Sequence, residues 1–253
     1  MLFNYHTHTK RCNHAEGEDR EYVEHAIKSG LKTLGFSDHA PYLFPDTDFQ
    51  SHFRMKQDEL FSYAESVRNL AKEYANDIRI LCGFELEYYP DFHKQEMQFL
   101  SQVKPDYLLL GQHFVGNEFS QFSSSSIKTD DTALMLYVTQ VLAGLATGDF
   151  LYVAHPDMAG TTCSNEVVER EYRRLCEGAK RMGAALELNL LGLRRNRRYP
   201  SEQFFKIVGE VGASVIFGSD AHEPWVVNDT ESEKIAWDMA KRLHLKVIDK
   251  PLI

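Results

Sequence analysis

The 253-residue chain is 43% apolar and 26% charged, with a formal charge of −9; this is the composition of a globular protein long enough to bury one large core. The negative balance argues against a protein that coats nucleic acid, and no run approaches the ~18 consecutive apolar residues of a bilayer-spanning helix. No charged-then-apolar leader opens the sequence, and Cys12, Cys82, Cys163 and Cys176 lie scattered without CxxC spacing, which points to a cytoplasmic chain without a disulfide framework.

In chain order, a β-rich run at Leu2–His8 precedes Tyr22, Ala26 and Ile27, which share a helical face before Gly30. A second run, Thr33–His39, is followed by a long helical stripe of Leu60, Tyr63, Ala64, Val67, Leu70, Ala71 and Tyr74. Runs at Ile78–Tyr88 and Tyr107–Val115 come next, then serines at 123–126 that read as a loop tip, then a helix over Leu134–Ala146. Runs at Phe150–His155, Ala184–Leu190 and Ser214–Ser219 alternate with helices over Val167–Met182, Phe204–Val211 and Ile235–Leu243. Strand then helix, seven times over, is the sequence form of a parallel sheet covered by helices. "YLLLG" and "ASVIFG" are nearly continuous apolar runs, as strands buried on both faces should be. With no linker or repeat dividing the chain, a closed or nearly closed β/α barrel over 1–253 accounts for seven units better than two small open sheets; a doubly wound open sheet is the alternative.

Metal-ligand residue types collect at the ends of these runs. His6 and His8 close the first, Asp38 and His39 the second; Glu85 and Glu87 follow "ILCGF", His113 follows "LLLGQ", His155 follows "LYVA", and Asp220 and His222 follow "VIFGS". In a β/α barrel the C-terminal strand ends converge on one face, the face that carries the active site. Residues i and i+2 of a strand point the same way, so His6 with His8, and Asp220 with His222, can act as pairs. Imidazole plus carboxylate suits zinc, iron(II) or manganese(II), and this number of ligands implies two or three divalent ions. Each piece alone is weak. A lone HxH is more often a half-buried strand feature, a single strand-end carboxylate is more often a helix cap, and Cys12 alone reads as a small buried apolar residue. His25, His52, His93 and His244 fall in helices or loops and read as surface residues. It is the six coincident strand ends that point to a metal site.

"HTHTKRCNHAEG", "GLKTLGFSDHAP", "GFELEYYP", "GQHFV", "VAHPD", "ELNLLGLRR" and "GSDAH" occur in this order from residue 6 to residue 222. By these motifs, over nearly its whole length, the chain resembles the polymerase-and-histidinol-phosphatase (PHP) superfamily, and within it the monofunctional histidinol-phosphate phosphatases. The resemblance implies a single-domain, TIM-like distorted (β/α)7 barrel with a trinuclear centre at its mouth, hydrolysing L-histidinol phosphate. It implies that His6, His8, Glu85 and Asp220 hold one ion, that His113 and His155 share a second with Glu85 as the bridge, and that His14, His39 and His222 hold a third. Glu16 is kept as a neighbour or alternative ligand on the substrate-binding side, with a first-turn helix carboxylate as the other reading; Glu87 shares the Glu85 face but lies further out.

A phosphomonoester needs a strong nucleophile at neutral pH and positive charge around the phosphoryl oxygens. Water held between two ions is the expected nucleophile, with Glu85, Asp220 and His222 as candidate catalytic residues. Asp220 or a neighbouring histidine would hand a proton to the leaving alkoxide. "GLRRNRRYP" places Arg194, Arg195 and Arg197 after the sixth run as candidate phosphate grips, Arg194 and Arg197 first among them; a solvated basic loop is the alternative. Tyr42, Phe44, Tyr88, Tyr89 and Phe114 follow ligand-bearing strand ends and read as packing. The partner is a small phosphomonoester, with neither nucleic acid nor membrane involved. Runners-up are a superfamily phosphatase or phosphodiesterase acting on a sugar phosphate or nucleotide, and a non-catalytic metal-binding scaffold. A barrel amidohydrolase is disfavoured because Glu85 stands where a carbamylated lysine would bridge.

Overall fold

The computed structural model describes residues 1–44, 49, 51–118, 123–124, 129–160 and 162–253. One parallel sheet runs through it, in the order β1 (Phe3–Asn4), β2 (Thr33–His39), β3 (Arg79–Leu86), β4 (Tyr107–Leu110), β5 (Tyr152–Val153), β6 (Ala185–Asn189), β7 (Ser214–Gly218) and β8 (Lys246–Val247). Strands are neighbours in space in the order they occupy in the chain, as right-handed β/α crossovers dictate. The helices between them are α1 (Asp19–Lys28), α2 (Leu60–Glu73), α3 (His93–Leu100), α4 (Asp131–Leu145), α5 (Asn165–Met182), α6 (Leu190–Arg194), α7 (Glu202–Val211) and α8 (Thr230–Arg242).

The sheet curls until the stretch beyond β1 meets the stretch beyond β7. Thr7 bridges Ala221, with His8 N donating to Ala221 O at 2.9 Å and Ala221 N donating to His6 O at 3.2 Å. The mouth of a distorted TIM-like barrel is thus closed by two short chain extensions. At the other end β8 pairs with the start of β7, Ser214 opposite Lys246. This eighth strand is absent from the seven expected.

Alternation along the strands separates two faces. Leu34, Phe36, Ile80, Cys82, Phe84 and Leu86 point outward into the layer under α1 and α2; Leu186, Leu188, Val215 and Phe217 do the same under α5 and α7. Inward, Tyr5, Leu81, Tyr107, Leu109, Tyr152 and Ile216 form a plug. Tyr107 crosses the barrel and donates to Tyr5 O at 2.6 Å and Phe36 O at 3.0 Å. One step further along each strand, the same inward face turns polar, and that is where the site lies.

Helix α3 and the short α6 were not anticipated. His93, read as a surface residue, is buried on α3 with Nε2 2.8 Å from Asp149 Oδ2; His52 and His244 are exposed and His25 half-buried. Ser125 and Ser126 of the expected loop tip lie outside the described residues. Ser124 is buried and donates to Gln112 O at 2.9 Å, so it packs rather than projects.

Candidate metal centre

Register brings the first pair together. In the β2–β3 ladder His39 stands opposite Glu85, and Glu85 is the hub of the cluster. Its Oε2 lies 3.2 Å from His39 Nδ1, 3.4 Å from His6 Nε2 and 3.5 Å from His8 Nε2; its Oε1 lies 2.8 Å from His155 Nε2 and 3.5 Å from His113 Nε2. Asp220 Oδ1 is 3.2 Å from His8 Nε2, 3.4 Å from His222 Nδ1 and 3.6 Å from His6 Nε2. His14, on the loop after a 3₁₀ turn at Lys10–Cys12, reaches the cluster from outside, its ring 4.8 Å from that of His222 and 5.4 Å from that of His39. All nine residues expected as ligands therefore meet in one place.

The unpaired atoms show what the cluster is suited to. Both Glu85 oxygens, His6 Nε2, both His8 nitrogens, His39 Nδ1 and His222 Nε2 are buried with no hydrogen-bond partner. Each such atom costs ~1–3 kcal/mol if left unmade, so a concentration of them needs another occupant. Donor atoms within 4.8 Å of one another form the groups His14–His39–His222, His6–His8–Glu85, His6–His155–Asp220 and His39–Glu85–His113. The groups overlap because His6, His39 and Glu85 each belong to two of them, where the sequence suggested a cleaner partition among three ions. A further group, His8, Cys12 and His222, brings in the buried Cys12 thiol.

Four imidazoles are tethered through Nδ1: His6 to Glu187 at 2.7 Å, His113 to Glu87 at 2.8 Å, His14 to Cys12 O at 2.7 Å and His222 to Asp220 O at 3.2 Å. A carboxylate or carbonyl oxygen only accepts, so Nδ1 carries the proton and Nε2 turns its lone pair inward, the arrangement that orients metal-binding histidines. Burial opposes ionisation of Glu85 and Asp220, yet the surrounding histidines hold both well below the usual carboxylate range. Burial, reinforced by His8, keeps His39 and His222 well below their ordinary value and neutral. His6 and His8 go the other way: burial opposes their charging, but Glu187 and Asp220 respectively lead the groups that raise them. The carboxylates thus call for positive charge, which divalent cations would supply. The residues present fit such ions.

A cavity of about 370 Å³ opens over the cluster. Its floor is His8, His14, His39, His113, His155 and His222 with Glu85 and Asp220; its walls include Phe53, Tyr199, Arg195, Arg197 and Glu223. Arg197 donates to Tyr199 Oη at 2.8 Å, and Arg195 pairs with Glu223. Arg194 does not line the cavity. It sits in α6, whose cap Asn189 accepts from Gly192 N at 2.9 Å, and its guanidinium is committed to Asp229 at 2.9 Å and to the Ser219 and Asp220 carbonyls at 3.3 and 3.4 Å. The helical turn at Leu190–Arg194, not anticipated, sends Arg194 away from the cavity. Glu16 is likewise exposed and absent from the lining, though its backbone N–H donates to His222 O at 2.9 Å. None of the five aromatics read as packing lines the cavity; Phe53, not singled out, does, with its ring 4.7 Å from that of His39.

Sequence reasoning also passed over Glu187 and Arg54. Glu187 shares the inward face of β6 with Ala185 and Asn189, so strand alternation could have found it. Arg54 gave no signal, since it lies on a long connection. It is buried, with Nη2 3.0 Å from Glu87 and 2.7 Å from Glu118, and so secures the carboxylate that tethers His113.

Histidines and carboxylates gathered at the C-terminal mouth of a β/α barrel, with arginines at the rim, define a metal-centred barrel hydrolase. The chain belongs to the PHP domain family, whose model matches residues 4–190. It is 27% identical over 232 residues to a probable histidinol-phosphatase of Deinococcus radiodurans, covering 88% of this chain and 87% of that one. It is 32% identical over 120 residues, 46% of this chain and 45% of the other, to a histidinol-phosphatase of Bacillus subtilis. Its fold is similar, with a TM-score of 0.71 at 19% identity over 98% of this chain and 95% of the other, to a Lactococcus lactis histidinol phosphate phosphatase solved with zinc, L-histidinol and phosphate.

Proposed function

We propose that this chain is a metal-dependent phosphomonoesterase that hydrolyses L-histidinol phosphate to L-histidinol and inorganic phosphate. The observation that carries the chemistry is the pairing of a floor of unpartnered, buried histidine and carboxylate atoms with two arginines in the same cavity wall. The choice of substrate rests on the histidinol-phosphatases among the relatives.

His6, His8, Glu85 and Asp220 would hold one ion, His113 and His155 with Glu85 a second, and His14, His39 and His222 a third. When bound, these zinc, iron or manganese ions would supply the Lewis acidity that activates water at neutral pH and offsets phosphoryl charge. Arg197 and Arg195 would orient the phosphate by charge-assisted hydrogen bonds. Asp220, held ionised by the surrounding histidines, would take a proton from water and return it to the leaving alkoxide. Phe53 and Tyr199 offer flat faces to an imidazole.

The whole of 1–253 is read as one domain. Four free cysteines and no described helix long and apolar enough to cross a membrane accord with work in the cytoplasm. The acidic charge accords with a small-molecule substrate rather than nucleic acid.

Phosphate release from L-histidinol phosphate, measured beside nucleotides, sugar phosphates and p-nitrophenyl phosphate, tests the reading. A clear preference in kcat/KM for histidinol phosphate is expected; turnover no better than with p-nitrophenyl phosphate would overturn the substrate assignment.

A further inference from the structure

Among β1 to β7, only β6 ends without a proposed ligand. Its two inward polar residues, Glu187 and Asn189, are both fully buried; apart from the Asn189 Oδ1 cap on Gly192 N and their bond to each other, their hydrogen bonds reach residues on or just beyond β1, β5 and β7. Glu187 Oε1 accepts from His6 Nδ1 at 2.7 Å and from Tyr152 Oη at 3.3 Å. Its Oε2 accepts from the backbone N–H of His155 at 2.9 Å and from Asn189 Nδ2 at 2.8 Å. Asn189 Nδ2 also donates to Asp220 Oδ2 at 3.0 Å.

Two of the three residues held in this way need holding. His155 has φ 30° and Asp220 φ 49°, a left-handed backbone that costs a residue other than glycine, and that persists where surrounding contacts over-determine it. The third, His6, has its tautomer fixed, so that Nε2 faces Glu85 and Asp220. The space for the Glu187 carboxylate exists because residue 218 of β7 is glycine: a methyl group there would overlap Oε1.

We propose that Glu187 and Asn189 are positioning residues, a buried brace on β6 that fixes the metal-facing groups of β1, β5 and β7 and binds no ion itself. Both Glu187 oxygens already accept from protein donors, which leaves it little capacity to ligate. This inference rests on the proposed metal centre.

The test uses Glu187→Gln and Asn189→Ala beside the wild type. A glutamine amide accepts on one side only, so it must turn a donor toward either His6 or the two N–H groups facing Oε2. Metal-free protein is titrated with zinc, and bound zinc is counted at saturation. The expected result is the same number of ions as in the wild type, with the affinity of at least one lowered ~10–100-fold, a lower kcat, and a KM for histidinol phosphate changed less than about twofold. Asn189→Ala, which spares the His6 contact, should show the same pattern more weakly and serves if Glu187→Gln does not fold. Unchanged zinc affinity in both folded variants overturns the brace. Loss of a whole equivalent of zinc at saturation makes Glu187 a ligand and also overturns it. A wild type that binds no zinc fails the metal-centre reading instead, which keeps the two failures apart.

Discussion

Glu85 occupies the space that a side chain at residue 111 would fill. A methyl group built on Gly111 of the neighbouring strand extension would overlap the Glu85 carboxylate. Glu85 faces five histidines from four strand ends, so its position sets the geometry of the whole cluster. Gly111→Ala removes no ligand, yet it should displace the hub. We expect kcat to fall at least ~100-fold, since small misplacement of catalytic groups has effects of that size, with bound metal reduced in elemental analysis. A variant with wild-type metal content and rate would show that Glu85 tolerates displacement.

Metal removal should cost stability as well as activity. Without ions, histidine and carboxylate atoms of the cluster are buried with no hydrogen-bond partner. A ligand at 1,000 times its Kd adds ~4 kcal/mol to a fold. Dialysis against a chelator should therefore lower Tm by several degrees and abolish phosphate release, and zinc, manganese or iron(II) should restore both. A melting curve indifferent to chelation would sink the expectation.

The arginines of 192–200 should separate by variant. Arg197 lines the cavity and Arg194 does not. Charge-assisted hydrogen bonds of ~1.5–3 kcal/mol make Arg197→Ala about 10- to 100-fold lower in kcat/KM, with Tm unchanged. Arg194→Ala unpairs Asp229, the cap of α8, and should show first as a lower Tm. The reverse pattern in paired melting and kinetic measurements would reassign the phosphate grip.

Glu96 should give stability a pH dependence of unusual sign. It is buried on α3, accepts from Leu43 N at 2.8 Å through Oε2, and has no partner at Oε1. Burial pushes its carboxyl up to about 8. Between an unfolded value near 4.5 and this folded value, the native state binds the extra proton, so this group's contribution falls as pH rises and levels off above 8. Glu96→Gln, neutral throughout, should match the wild type in Tm near pH 5 and exceed it by a few degrees at pH 9. Equal pH slopes for the two proteins would show that Glu96 does not titrate in this range.

How much of this could be read in advance differs between the two strand faces. The helices of α2, α4, α5 and α7 announced themselves through apolar residues at helical spacing. Helix α3, only His93–Leu100, did not, and with it went the burial of His93. Expected strand limits ran long at β1, β4 and β5, because the ends that carry His6, His8, His113 and His155 leave the ladder to form the mouth. The ligand residue types stood out because polar groups at the end of apolar runs are conspicuous. Glu187 was overlooked because nothing distinguishes a carboxylate that tethers a histidine from one that faces solvent until its neighbours are known.

The sequence alone determined the alternation of strand and helix, the shared face of Glu85 and Glu87, and the kind of chemistry that so many imidazoles and carboxylates imply. These are local properties, carried by periodicity and residue type. Only the tertiary structure decided that His39 stands beside Glu85, that Arg194 turns away while Arg197 reaches the cavity, and that β6 supports the site from beneath. Those depend on register, on barrel closure and on which atoms remain unpaired after packing, quantities that exist only once distant segments share a volume.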